Sequence, residues 1–386
     1  MKMYEKLRSS NREKPVVILI ILVLYIMSIG TFTILHQFES SQELKGKASF
    51  QLNYRFRLTN NGPQNLTSLT VRLALLKDWN PVQNVTALNI RTPANFTTTD
   101  EYENSFAWYN YENFNVNQSL DLQFDANLTL NILDFSNSIK DSPQPYDEES
   151  EEYRLFTAYH PLTDTSDPSI QLQAERLKTS GSLLDSIFKA YNFTSSYINY
   201  RLLSSSRGAS FAVNQGYGDC DEYTTLFVAL SRSFGIPAIE HTAWLADFFP
   251  GFQSLDEGAI AHAYPMFYLP DTGFLPVDPT RGHVNLYDNW LKSDERRITL
   301  TRGPDHPYRL LRYRWIPQEG ISNPNIQSNY SITILNMKVD YFSIIRPIII
   351  TGLITIPLAF VLINIINGYR WRKKKEKEIQ RLLIPA

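Results

Sequence analysis

Apolar and polar side chains alternate along the first third of the chain. Phe50, Leu52, Tyr54, Phe56 and Leu58 are separated by Gln51, Asn53, Arg55 and Arg57, and the run ends at Asn60-Asn61-Gly62. A period of two predicts a half-buried strand with one apolar face. Leu69, Val71, Leu73 and Leu75 repeat the pattern. So does the stretch from Leu120 to Ile132, where Leu120, Leu122, Phe124, Ala126, Leu128, Leu130 and Ile132 share a face. Clusters of Asn, Gly and Pro punctuate these runs. Residues 36–140 are therefore expected to hold an antiparallel β-sandwich, immunoglobulin-like in style, serving as a spacer or packing partner.

The period changes after residue 168. Ile170, Ala174 and Leu177 predict one helix; Leu183, Leu184, Ile187, Phe188 and Tyr191 predict another, with Ser182 as its N-cap. A third is marked by Tyr223, Phe227, Leu230 and Phe234, with Gly235 where a C-cap glycine belongs. Ile236–Leu245 and Tyr264–Leu269 read as strands, and Arg297–Leu300 with Tyr308–Trp315 is expected to complete their sheet. Asp247–Ala261 reads as a loop whose Phe248, Phe249 and Phe252 either line a cleft or lie beneath the sheet. Upstream, Asp141–Tyr153 carries six carboxylates and two prolines without an apolar period, so 141–167 is expected to be an acidic linker. It lacks the spacing and turn glycine of a calcium loop. Residues 317–340 read as a juxtamembrane connector.

Two runs follow neither period. Pro15–Leu35 has 21 residues without a charge and Pro347–Tyr369 has 23, each long enough to cross about 30 Å of hydrocarbon. No small-residue cleavage site follows the first, whose apolar core exceeds that of a signal peptide. Transmembrane helices are expected over 15–35 and 341–369. Basic residues crowd both outer flanks: the first fourteen residues sum to +3 and those from Arg370 onward to +5. The positive-inside rule then places both termini, 1–14 and 370–386, in the cytoplasm and 36–340 outside the cell, with the basic tail on anionic lipid.

The net charge of −2 thus conceals a middle of −10, which argues against nucleic acid as the principal partner. A single cysteine excludes an intrachain disulfide, which suits a prokaryotic surface protein with a core large enough to need none. Seven Asn-x-Ser/Thr sequons, at Asn65, Asn84, Asn95, Asn117, Asn127, Asn192 and Asn329, are compatible with an outside location and add little to it. No metal-site spacing, phosphate loop or dinucleotide fingerprint is present, so neither a metal nor a cofactor is expected.

The one cysteine lies in Gly216-Tyr217-Gly218-Asp219-Cys220-Asp221-Glu222-Tyr223, where a glycine-flanked turn delivers it to the start of a helix. Unpaired N–H groups and the helix dipole favour a thiolate there, whereas Asp219, Asp221 and Glu222 oppose it and are assigned to capping. Downstream come Ala261-His262-Ala263-Tyr264 and Pro276-Val277-Asp278-Pro279-Thr280. Cys, His, then Asp is the order of a thiol triad: nucleophile, base, and orienter of the base. His241 reads as a strand residue, and His283 follows Asp278 in the wrong order.

These blocks, 218–238, 262–269 and 273–280, resemble the transglutaminase-like core, a branch of the papain-like cysteine enzymes. Tyr264 and Phe274 stand where that family usually has tryptophan and preserve an aromatic wall. The resemblance implies an α+β domain over 168–316, with a helix-borne cysteine packed on an antiparallel sheet. By position it implies Cys220 as nucleophile, His262 as base and Asp278 as its partner. The implied chemistry is acyl transfer on protein or peptide substrates, ending in crosslinking or hydrolysis. The alternative is an inactive domain that binds or adheres at the cell surface.

Overall fold

The computed structural model describes residues 43–139, 146–245, 260–270, 272–282, 287, 289–304, 311–317, 325–341 and, toward the C-terminus, 357, 360–361, 364–365 and 367–378. Six strands come first: β1 (Leu44–Asn60), β2 (Leu66–Leu75), β3 (Gln83–Ile90), β4 (Phe96–Thr99), β5 (Ser105–Phe114) and β6 (Ser119–Asp134). The alternation expected of β1 is realised side chain by side chain, with Ala48, Phe50, Leu52, Tyr54, Phe56 and Leu58 all buried. Its antiparallel partner β6 sets Leu128 opposite Phe50, Ala126 opposite Leu52 and Phe124 opposite Tyr54. Tyr54 stacks on Phe124 at 4.7 Å between centroids. Because side chains alternate faces, this register gathers both apolar sets on one side.

Helices follow: α1 (Glu151–Thr157), α2 (Pro168–Leu177), α3 (Leu183–Tyr197), α4 (Gly208–Gln215) and α5 (Cys220–Ser233), with the short strands β7 (Asn199–Tyr200) and β8 (Tyr217–Gly218) pairing in parallel. Next come β9 (Ala238–Leu245), β10 (Ile260–Leu269), β11 (Gly273–Pro276), helix α6 (Pro279–Gly282), β12 (Lys292–Ser293), β13 (Arg297–Arg302), β14 (Leu311–Pro317) and β15 (Ile326–Tyr341). Strands β11-β10-β9-β13 form one antiparallel sheet, and α5 packs against it through Leu226, Phe227 and Leu230. Strands β12-β6-β1-β15, with β3 on β6, form a second sheet, and β14-β2-β5-β4 a third. The second and third share an apolar core into which Trp244, Ile298 and Leu300 of the first also reach. Polar bonds fasten the same junction. Buried Gln83 donates to Lys77 O and Thr299 O, each at 2.9 Å, and accepts from Thr299 N at 2.8 Å.

Three segments differ from expectation. Strand β14 pairs with β2, placing Tyr313 opposite Val71 and Trp315 opposite Leu69, instead of completing the sheet of β9 and β10. A period of two fixes which face a strand buries but not which neighbour it takes. The supposed connector 317–340 contains all but the last residue of the sixteen-residue β15, which lies along β1. Of its side chains only Ile332 and Ile334 are buried, too few for the alternation to register. The acidic linker contains α1, where the Ser150 side chain caps Tyr153 N, Glu151 and Glu152 occupy the first turn, and Phe156 is buried. Carboxylates at a helix N-terminus are favourable and mask the element from a composition argument.

Residues 43–340 form one compact unit, and residues 1–42 with 341–386 another. In the latter, 367–378 are helical. Among the described residues no helix is long and apolar enough to cross a membrane. The first expected span lies outside the described residues, and so does most of the second.

Candidate active site

Cys220 is the first residue of α5, and the turn before it is tightly built. Asp219 is the N-cap, accepting from Asp221 N through Oδ1 at 3.1 Å and from Leu203 N through Oδ2 at 2.9 Å. Glu222 closes a capping box by accepting from Asp219 N at 3.0 Å and takes a second bond from Arg207 N at 2.7 Å. Gly218 is required by close approach, since a Cβ there would lie 2.3 Å from Glu222 Cβ. The opposite end of the helix is fixed by buried Arg232, which donates to Ala238 O at 3.0 and 2.8 Å and to Ala158 O at 2.8 Å.

His262 lies on β10 and is 4% exposed; Asp278 follows β11 and is fully buried. Pairing of β10 with β11 runs from Leu269 opposite Gly273 back to Met266 opposite Pro276. That register brings the histidine and the aspartate, sixteen positions apart, to 2.9 Å between Nε2 and Oδ2. Burial works against the Asp278 carboxylate, but the charge and hydrogen bond of His262, then Arg297 and Arg281, outweigh it and hold its pKa below the ordinary value. An ionised carboxylate only accepts, so His262 Nε2 donates and Nδ1 is left with the free lone pair.

The sulfur belongs to this cluster. Cys220 is half-buried, and its thiol faces the backbone of Ala263, the residue after His262, and the charge of Asp278. Burial pushes the thiol pKa well up, the charges of Asp221, Asp219 and Asp278 add to this, and the Ala263 backbone opposes it. The helix start therefore does not produce a free thiolate by itself. Asp219, Cys220 and Asp221 bring potential metal-ligand atoms within 4.8 Å of one another, but both Asp219 oxygens already serve backbone N–H groups.

One neighbour was not singled out in the sequence. Arg297, at the start of β13, is 5% exposed, and its Nη1 lies 3.7 Å from Asp278 Oδ2. Its only sequence signal is a charged residue opening a strand in which Ile298 and Leu300 alternate with threonines, three positions after Asp294. His241 stays on β9, buried and stacked on Tyr264, apart from the pair. Phe248, Phe249, Phe252 and His283 lie outside the described residues.

The site thus combines an α+β fold, a cysteine opening a buried helix, and a His–Asp pair beside it on a sheet. Residues 171–279, less than half of the chain, match the model of the transglutaminase-like superfamily. Among solved structures, it is similar to a proposed cysteine protease from Cytophaga hutchinsonii, with 13% identity, 77% of this chain and 93% of that one covered, and a TM-score of 0.54. That likeness concerns the fold. The periplasmic domain of TgpA from Pseudomonas aeruginosa aligns at 15% identity over 66% of this chain and 94% of its own, with a TM-score of 0.32. No curated protein sequence matches the chain.

Proposed function

We propose that this chain is a membrane-anchored acyl-transfer enzyme in which Cys220 is the nucleophile, His262 the general base and Asp278 the residue that orients it. The observation that carries this reading is the 2.9 Å His262–Asp278 pair, beside a sulfur that the backbone of Ala263 faces. With the thiol held protonated, deprotonation accompanies attack. His262 Nδ1 takes the proton from Sγ, and sulfur adds to the carbonyl carbon of a glutamine carboxamide or a peptide bond. The oxyanion is stabilised by backbone donors, the Cys220 N–H among them. As the tetrahedral intermediate collapses, the C–N bond breaks and His262 returns its proton to the departing nitrogen, leaving a thioester. A lysine amine then gives a crosslink; water gives the acid. The triad serves both fates, so the class assigned is acyl transfer on protein or peptide substrates, with neither a metal nor a cofactor in any step.

The anchored, outward-facing arrangement rests on the charge-free runs 15–35 and 347–369 and their basic flanks. In this reading the sheets formed by β1–β6, β12, β14 and β15 are an immunoglobulin-like spacer that holds the transglutaminase-like domain away from the membrane. The raised thiol favours a second reading, a binding module that keeps the scaffold without turnover.

The test is the alkylation rate of Cys220 by iodoacetamide against pH, in the full-length wild type and in His262→Ala. The enzyme reading expects the wild type to react at least about tenfold faster near neutral pH, because the base assists ionisation. Superimposed profiles, both rising only at alkaline pH, would overturn it in favour of the binding module.

A further inference from the structure

The His262–Asp278 pair is the end of a longer chain of charges that runs outward from the core. Asp278 Oδ2, the atom that meets His262, also faces Arg297 Nη1 at 3.7 Å. This is beyond hydrogen-bond length, and among the described residues Nη1 has no hydrogen-bond partner. The rest of the guanidinium is tightly held. Nη2 donates to Lys292 O at 3.0 Å, Nε reaches Asp294 Oδ1 at 3.4 Å, and the group lies 5.0 Å from the centre of the Tyr264 ring. Tyr264 is itself fixed to Thr299 at 2.8 Å. Beyond Arg297, Asp294 takes Arg281 Nη1 at 2.8 Å, and Arg281 N points at Asp278 Oδ1 at 3.3 Å.

We infer that Arg297 is a positioning residue for the catalytic pair: it fixes the Asp278 carboxylate and limits how much of its charge reaches His262. A buried carboxylate facing the histidine alone would stabilise the imidazolium without opposition. A cation held 3.7 Å from the same oxygen divides that stabilisation, and Asp294 on its far side partly cancels the cation in turn. The groups around Asp278 are His262 and Tyr264 from β10, Arg297 from β13, Arg281 from α6 and Cys220 from α5. Signs follow directly. Removing the Arg297 charge raises the proton affinity of the cluster; removing the Asp294 charge lowers it.

This inference rests on the triad reading, and one experiment separates the two. Iodoacetamide alkylation of Cys220 is followed against pH in the full-length wild type, His262→Ala, Arg297→Gln and Asp294→Asn, with melting temperatures recorded for each. The triad reading fails alone if His262→Ala leaves the profile unchanged. If His262 matters, the inference expects the low-pH rise of the profile to move by about one pH unit toward alkaline in Arg297→Gln and by a smaller step toward acid in Asp294→Asn. A purely structural Arg297 would lower the melting temperature and move neither rise. If Arg297→Gln does not fold, the acid-ward shift of Asp294→Asn carries the test, because Asp294 is partly exposed. Unmoved profiles, or shifts of the same sign in both variants, overturn the inference.

Discussion

At the residue scale, the site is governed by what a buried charge is allowed to face. Asp278 is fully buried and ionised because His262 and Arg297 share one of its oxygens. Asp278→Asn keeps the shape and removes the charge, so the amide can no longer enforce the Nε2–H tautomer of His262. His262-assisted alkylation of Cys220 should fall about a hundredfold or more. The same change leaves Arg297 with Asp294 alone and should cost up to about 3 kcal/mol, read from the denaturant midpoint. Cys220, His262 and Asp278 were singled out in the sequence because they follow the chain order of a thiol triad, and the structure sets the last two 2.9 Å apart. Arg297 was not, since an arginine at the start of a strand looks like any solvated charge until the fold buries it.

Helix α5 shows how an element delivers a side chain. Its N-terminus is sealed by the capping box of Asp219 and Glu222, and its C-terminus by Arg232 on Ala238. Asp219→Ala should cost about 1 kcal/mol. Gly218→Ala is expected to be worse, about 1–3 kcal/mol, because the new Cβ meets the Glu222 side chain and displaces the cap. Thermal melts of the two variants side by side check that order, and a Gly218→Ala melt at or above that of Asp219→Ala would contradict it. The helix periods after residue 168, the Ser182 cap and the Gly235 terminus could all be read from the sequence, being local. The capping box was only partly visible: the acidic residues were recognised as helix-start residues, but Arg207 N as a second donor to Glu222 comes from a loop fifteen positions away.

Across the whole molecule, stability depends on contacts between sheets that sequence order keeps far apart. Gln83 bridges to Thr299 over 216 positions, and Gln83→Ala would leave buried backbone groups of Thr299 and Lys77 without partners. The expected loss is about 2–4 kcal/mol in denaturant unfolding. His241 adds a dependence on pH. Burial, helped by the Arg302 charge, pushes its pKa from 6.5 down to about 3. A group whose folded pKa lies below its unfolded value contributes nothing adverse above pH 6.5, and stability falls by about 1.4 kcal/mol per pH unit from there toward pH 3. His241→Phe should flatten that part of the stability–pH curve, and an unchanged slope between pH 6 and 4 would show that other groups cause it. The sequence by itself determined the local periods, the faces that strands bury, and the order of cysteine, histidine and aspartate, because each depends on near neighbours along the chain. Only the tertiary structure decided that β14 and β15 return to the first sheets, that burial and carboxylates hold the Cys220 thiol up against its helix, and that Arg297 stands behind Asp278. Those outcomes depend on which edge a strand finds and which charges are taken out of water together, and neither is written in residue spacing.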